Sequence, residues 1–311
     1  RNNLNHIIVL EGNIFSASVN TSITILALNP KSKVKFDKAI LNTNDKLLIK
    51  EIAEVPLTFF ETEEKLFIPP INKKAAKVLE IIVNQKGKTL KSISNINFGM
   101  QLRDRKEFPF DVIQNADSSV LTEYHKECFT GKDIKPFELK YSNRYCYYNR
   151  EAKRGGCWND DAQLAKNKIL VPQIGKYPIG AIDRNGFPVL NTAFMINIFS
   201  SDTPESVLAQ LNSELVAFFW INKFRDDRDT FPKIKGSYLE HLPIKTSNET
   251  LDIIVSYIES ISGDFNFGFI KSFYISLLNA IIYELYFPKE LKSANKEILK
   301  HLGDIKPITD S

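Results

Sequence analysis

Apolar and polar positions form short strand-like runs over the first part of the chain. Two apolar runs, Ile7–Leu10 and Val19–Leu28, are separated by the turn-like Glu11-Gly12-Asn13, which predicts two strands. Two strands do not form a stable sheet alone, so we expect them to pair with another part of the chain. A further strand is predicted around Ala39–Ile49, and apolar positions at helical spacing predict a helix over Asn72–Gln85.

The strongest helical pattern lies between residues 201 and 224. Asp202 or Thr203 can cap the helix, and Pro204 suits its first turn. One face is expected to be buried, because apolar side chains recur at helical spacing at Leu208, Leu211, Leu215, Phe218 and Phe219. A charged run over residues 225–229 ends the pattern, so we predict one helix over 204–224.

Strands are predicted before this helix and further helices after it. Lys168–Ile174 is predicted as a strand, and Ile179–Ile182 with Val189–Ile198 as a hairpin whose turn contains Asn185-Gly186. Beyond residue 244 the pattern predicts three helices, over Glu249–Ser262, Phe267–Phe287 and Pro288–Leu302.

The formal net charge of this 311-residue chain is only +4, so nucleic-acid binding would have to depend on local clusters of cations. Segment Phe129–Arg184 has eleven Lys and Arg against six Asp and Glu. Within it, cations alternate with rings at Arg144, Tyr145, Tyr147, Tyr148, Arg150, Lys153, Arg154 and Trp158. Cations neutralise phosphates and rings stack on bases, which favours a nucleic-acid surface. The alternative is a loop whose tyrosines pack on the sheet while its charges face water. Gly155-Gly156 indicates a mobile tip.

Cysteine content and hydropathy predict a cytoplasmic protein. Three cysteines are too few for a disulfide framework and favour a reducing compartment. The longest apolar stretch, Phe265–Phe287, is interrupted by charged and polar residues, so no membrane span is predicted. The chain begins with Arg1 rather than Met, and we expect it to be a fragment of a longer protein.

Two groups of residues match the spacing of metal-binding sites only loosely. Asp45 with Glu63 and Lys65 loosely satisfies the spacing of a nuclease site. A conceivable zinc set lacks the usual paired cysteines and consists of His125, Cys128, Cys146 and Cys157. A solvated charged face and ordinary buried thiols explain these residues better, so we predict no metal.

A motif spread over about forty residues resembles the closing signature of the target-recognition domain in adenine-N6 DNA methyltransferases, including enzymes that fuse methylation and cleavage. Its residues are Asn212, Ser213, Phe231, Pro232, Lys233, Leu242, Pro243 and Ile244. Phe129–Phe137, with its glycine-lysine-aspartate turn, is similar to another piece of these domains. Residues 14–28 resemble the last hairpin of the methyltransferase catalytic sheet.

The resemblance implies an α+β fold, in which a curved mixed or antiparallel sheet with packed helices precedes a helical C-terminal tail. It divides the chain into a remnant edge of a catalytic domain (1–40), a connector with a helix (41–95), a DNA target-recognition domain (96–245) and a helical region (246–311). Glutamine can pair with adenine edges, while Lys and Arg contact phosphates or guanine. The predicted DNA contacts are Arg103, Arg105, Lys132, Arg144, Tyr148, Arg150, Lys153, Arg154, Gln173, Lys176, Arg184, Lys233 and Lys235.

The resemblance implies duplex DNA as partner, and a parent enzyme that uses S-adenosylmethionine. The Asp/Asn-Pro-Pro-aromatic loop of that chemistry is missing: Pro69-Pro70 is flanked by Ile68 and Ile71. We therefore predict no catalytic residue and no cofactor in this fragment, and a catalytic domain elsewhere in the same polypeptide. The alternatives are a specificity subunit of a multi-subunit restriction system and a protein–protein scaffold.

Overall fold

The computed structural model describes residues 4–11, 21–28, 32–41, 46–57, 70–85, 87–115, 117–226, 231–263 and 267–303. The chain divides into two compact units. Unit 1 comprises residues 1–86 and 219–225, and unit 2 comprises residues 87–218 and 226–311. Open sheets and separate helices make the fold α+β, as predicted.

Unit 1 contains a four-stranded sheet of order β2-β1-β3-β4. Its strands are β1 (Leu4–Glu11), β2 (Thr21–Leu26), β3 (Lys33–Leu41) and β4 (Leu47–Pro56). Strand β1 pairs antiparallel with β2 and parallel with β3. Helix α1 (Lys73–Asn84) begins where the side chain of Asn72 accepts a hydrogen bond from Ala75 N (2.9 Å).

The first two predicted strands are confirmed, and β3 is the further partner that we expected them to need. The single strand predicted around Ala39–Ile49 is wrong. Strand β3 ends at Leu41 and β4 begins at Leu47, and they pair antiparallel. The polar residues 42–45 between them lie outside the described part. The predicted division of the chain into four parts does not correspond one to one with the two units, and it stays a prediction. Its first boundary, at residue 40, falls within β3.

The main sheet of unit 2 has the order β13-β12-β14-β6 and is antiparallel throughout. Its strands are β6 (Ser94–Phe98), β12 (Lys168–Pro172), β13 (Ala181–Asp183) and β14 (Ala193–Ile198). The predicted hairpin of 179–182 with 189–198 is wrong, because β12 lies between these strands and pairs with both. The Asn185-Gly186 turn is present, with Gly186 at φ 81°, but the chain that follows it leaves the sheet before returning as β14.

Smaller sheets and short helices surround this sheet. The strands are β5 (Lys88–Thr89), β7 (Val112–Gln114), β8 (His125–Glu127), β9 (Ile134–Lys135), β10 (Glu138–Leu139), β11 (Arg144–Tyr147) and β15 (Pro243–Ile244). They pair as β7-β11-β8, β9-β10 and β5-β15. The short helices are α2 (Leu90–Ile93), α3 (Asp160–Gln163) and α6 (Gly236–Leu239).

The single helix predicted over 204–224 is wrong, since two helices occupy this range. Helix α4 (Pro204–Leu211) begins as predicted, with the Thr203 side chain accepting a hydrogen bond from Ser206 N. The break comes at Asn212, whose side chain accepts from Gly180 N (2.7 Å) and donates to Gly180 O (3.0 Å). Ser213 Oγ then accepts from Val216 N (3.1 Å), which favours the start of α5 (Glu214–Lys223).

Three helices follow, as predicted: α7 (Glu249–Ile261), α8 (Gly268–Tyr286) and α9 (Pro288–Ser293). Helix α9 is shorter than the predicted 288–302, because Asn295 adopts φ 54°, a left-handed conformation that ends helices. None of the described helices is both long and apolar enough to cross a membrane.

Candidate nucleic-acid interface

Residues Pro188–Ala193, which we call the junction segment, join several loops of unit 2 through backbone hydrogen bonds. Met100 N donates to Val189 O (2.8 Å), and Asn191 N donates to Met100 O (2.9 Å). Leu190 N donates to Phe129 O (2.9 Å). The loops after β6 and β8 are therefore held against the same six residues.

Thr192 brings two more loops to the junction segment. Its hydroxyl accepts a hydrogen bond from Gly131 N (2.9 Å), and its carbonyl accepts one from Gln173 N (2.9 Å). Ile174 forms a β-bridge with Lys233, so the segment after Phe231 joins the same region. No local sequence signal singles out Thr192, because its role arises from contacts between segments far apart in the chain.

Glycines allow this close approach of backbones. A Cβ at Gly99 would overlap the carbonyl oxygen of Leu190, and one at Gly156 would overlap that of Gly99. Gln101 N donates to Gly155 O (2.9 Å), and Arg154 N donates to Gln101 O (3.0 Å). Gly155-Gly156 thus fastens its loop to the segment after β6, a different role from the mobile tip that we expected.

The joined loops carry exposed cations at six of the predicted contact positions. These are Arg105, Lys132, Lys153, Arg154, Lys176 and Lys233. Within the described part of the chain, none of the six forms an ion pair. A groove of about 460 Å³ lies at one end, lined in part by Arg103, Arg105, Arg154 and Asn191. The charge of the six exposed cations is available to an anionic ligand, and the groove lining also includes the carboxylates of Asp104 and Glu107.

Four other predicted contacts are arginines whose charge is already bound by carboxylates. Arg103 donates to both oxygens of Asp111 (2.9 and 2.6 Å), which raises the pKa of this guanidinium, and it lies 4.0 Å from the centre of the Phe108 ring. Arg144 donates to Asp133 (2.5 Å) and to Thr130 Oγ1 (3.1 Å). Both arginines hold loops in place.

Arg150 and Tyr148 belong to a cluster around Trp158. Arg150 donates to the Trp158 carbonyl and to Asp160 Oδ1 (3.0 Å). The Tyr148 ring stacks on Trp158 with centroids 5.9 Å apart, and its hydroxyl donates to Asp160 (2.6 Å). The pKa of the Tyr148 hydroxyl is raised, chiefly by burial and secondly by the hydrogen bond to the Asp160 carboxylate. Packed rings and paired charges are thus present between residues 148 and 160. Arg150 is exposed but paired, whereas Lys153 and Arg154 are exposed and form no ion pair with the described residues.

The remaining predicted contacts lie in varied surroundings. Arg184 donates to Glu205 and Glu259 (2.6 Å each); burial disfavours its charge, but these carboxylates raise its pKa overall. Lys235 donates to the Tyr238 hydroxyl (2.9 Å). Gln173 is half-buried beside the junction segment. Arg184 therefore ties β13 to helices α4 and α7.

The residues considered for zinc have other roles. Thr122 N donates to His125 Nδ1 (3.0 Å), which leaves Nε2–H to donate to Phe110 O (3.0 Å). Cys128 and Cys146 are buried against Met100 and Trp158, and burial raises the pKa of the Cys146 thiol. The described residues contain no cluster of three or more metal-ligating side chains. The nuclease-like set Asp45, Glu63 and Lys65 lies outside the described residues.

A family model, the TaqI-like C-terminal specificity domain, matches residues 126–244. This range includes all the predicted contact residues except Arg103 and Arg105. No curated protein sequence matches the chain.

Solved structures of restriction–modification proteins match the chain to different degrees. The type IIL enzyme MmeI in complex with DNA has 8% identity and a TM-score of 0.51, with 96% of this chain and 45% of MmeI covered. The type IIG endonuclease BpuSI has 10% identity and a TM-score of 0.42, with coverages of 92% and 44%. The HsdS subunit from Thermoanaerobacter tengcongensis has 10% identity and a TM-score of 0.35, with coverages of 65% and 44%. Of these three, only MmeI exceeds a TM-score of 0.5, and at this identity the likeness concerns the fold alone. The chain spans less than half the length of each.

Proposed function

We propose that this chain binds duplex DNA through the loops joined at the junction segment, as a DNA-recognition domain of a restriction–modification system. The match of residues 126–244 to the TaqI-like C-terminal specificity domain supports this proposal. The observation that carries the proposal is the gathering of six exposed cations on these loops. Cations in this arrangement neutralise successive phosphates and orient the duplex. A cytoplasmic location follows from the proposal, since that is where such systems meet DNA.

The chain would select the sequence for a catalytic domain of the same polypeptide. The resemblance of the motif from Asn212 to Ile244 supports an adenine-N6 DNA methyltransferase as the parent. On this proposal the S-adenosylmethionine site belongs to the catalytic domain, and this chain supplies binding and orientation of the DNA.

The proposal is tested by the salt dependence of duplex binding. Fluorescence anisotropy with a labelled 30-base-pair duplex gives the dissociation constant over a range of salt concentrations. Replacing Arg105, Lys153 and Arg154 by alanine should weaken binding and reduce the slope of log K against log salt by about 2–3, since each neutralised phosphate contributes about 0.9.

A matched variant controls for the change in net charge. Lys289, Lys292 and Lys296 are exposed cations on and after helix α9, away from the junction segment in the chain. Their replacement by alanine removes the same charge and should leave the slope close to that of the unaltered chain. Equal slopes for the two triple variants would refute the proposed interface, and a chain that binds no duplex at low salt would refute DNA binding.

A further inference from the structure

Phe231 combines an unfavourable backbone conformation with an exposed ring. It has φ 55°, and its side chain is 72% exposed. The left-handed region is strained for a bulky residue, and the following Pro232 restricts Phe231 further. The other described non-glycine residues with positive φ are asparagines, which tolerate it, and Phe137, which is 3% exposed. Burial offsets the strain at Phe137 but not at Phe231.

Backbone contacts hold Phe231 beside the junction segment. Pro232 O accepts a hydrogen bond from Gly175 N (2.9 Å), and Ile234 N donates to Gln173 O (2.8 Å). Lys233 N donates to Asp226 Oδ2 (2.9 Å). The strained conformation is thus fixed by its surroundings, as is typical of strain retained at functional sites.

The surroundings of Phe231 are both apolar and cationic. Ile174 and Tyr177 are 43% and 40% exposed on the loop that pairs with residues 232–234. Lys176 and Lys233 are exposed on the same two segments. An exposed ring flanked by cations fits a partner with an anionic backbone and a flat apolar interior, which is the chemistry of stacked nucleic-acid bases.

We propose that Phe231 is a wedge that inserts between base pairs of the duplex bound at the junction segment, while Lys176 and Lys233 hold the flanking phosphates. This inference rests on the proposed function and adds local unstacking of the DNA to it. Apolar side chains that enter a base step unstack it and kink the duplex. The fixed backbone of Phe231 presents the ring without an ordering cost at the moment of binding.

The test uses the full chain and does not require knowledge of the recognised sequence. Two 30-base-pair duplexes of the same mixed sequence are compared, one intact and one with a central abasic site, where the stack is already interrupted. A wedge inserts at the gap at lower cost, so the unaltered chain should bind the abasic duplex about tenfold or more tightly than the intact one. Phe231→Ala should reduce this ratio to about one without changing the salt slope, and Phe231→Trp should retain it.

Two further variants separate the wedge from effects on folding. Phe231→Gly removes the ring and relieves the strain, so it should lose the preference while melting at a higher temperature than Phe231→Ala. Phe269→Ala removes a ring that is 87% exposed at the start of helix α8 and should retain the full preference.

If the unaltered chain binds with a steep salt slope but Phe231→Ala keeps its preference, the wedge is overturned and DNA binding stands. Salt-dependent binding without any preference for the abasic duplex overturns the wedge in the same way. If the unaltered chain binds neither duplex, the proposed function itself fails.

Discussion

Removal of the carboxylate of Asp183 should destabilise unit 2 strongly. Asp183 ends β13 and is fully buried, as is the side chain of its partner Lys168 on β12 (2.6 Å). The same carboxylate accepts hydrogen bonds from the backbone N–H groups of Asn185 (2.9 Å), Gly186 (3.1 Å) and Phe187 (2.8 Å). It therefore neutralises a buried cation and shapes the turn that leads into the junction segment.

The magnitude follows from the buried ion pair. In Asp183→Asn the amide oxygen can still accept from Asn185 N and Gly186 N, but the amide group replaces the oxygen that accepts from Phe187 N and Lys168 Nζ. The Lys168 ammonium also loses its counter-charge. Burial lowers the pKa of Lys168 even though the neighbouring Asp183 carboxylate acts to raise it. Removing one partner of a buried pair costs about 3–5 kcal/mol. For a protein of this size, that lowers the melting temperature by roughly 6–20 °C.

Circular dichroism melts of three variants check this reasoning. Lys168→Met/Asp183→Asn removes both charges and should be more stable than Asp183→Asn alone, because no unpaired charge stays buried. Asp161→Asn makes the same change at an exposed carboxylate and should alter stability by no more than about 0.5 kcal/mol. A double variant that melts at or below the temperature of Asp183→Asn alone would show that the unpaired buried charge does not determine the effect.

Three other substitutions test close backbone contacts and buried polar groups elsewhere in the fold. Gly99→Ala forces a Cβ against the Leu190 carbonyl and should cost about 1–3 kcal/mol in a thermal melt, whereas Gly268→Ala, where nothing lies within 4 Å, should cost nothing. Asn212→Ala leaves Gly180 N without its partner, whereas Gly180 O keeps the hydrogen bond from Phe137 N, and should cost about 1–3 kcal/mol in urea unfolding. Burial lowers the pKa of Lys223 to about 7 from 10.5. Between these values the unfolded chain binds more protons, so stability should rise with pH there, and Lys223→Met should flatten that rise in melts across the range.

Elements with local signals could be predicted from the sequence. Asn72 and Thr203 cap the helices that follow them, and the β-branched run near residues 21–26 forms a strand. The break between α4 and α5 could not be predicted, because it depends on the contact of Asn212 with Gly180, which is 32 residues away. The same limit explains the wrong hairpin, because β13 and β14 each pair with β12 and not with each other.

The candidate contacts show a similar division. Alternating cations and rings predicted the region, but the sequence does not reveal which of its charges are already paired. Arg103 binds a carboxylate 8 residues away, whereas Arg184 binds one 75 residues away. Exposure of Arg154 and Lys176 likewise depends on the packing of distant loops. Their predicted roles as DNA contacts stay predictions.

The junction segment holds its loops together by main-chain atoms, with the hydroxyl of Thr192 as an added acceptor. Apart from the glycines that allow the close approach, these main-chain bonds do not depend on which side chains the bonded residues carry. Residues such as Arg105, Lys132 and Lys176 can therefore be exchanged without dismantling the scaffold. If the proposed function is correct, substitutions at a few such surface positions would change which DNA sequence is bound while the architecture stays the same.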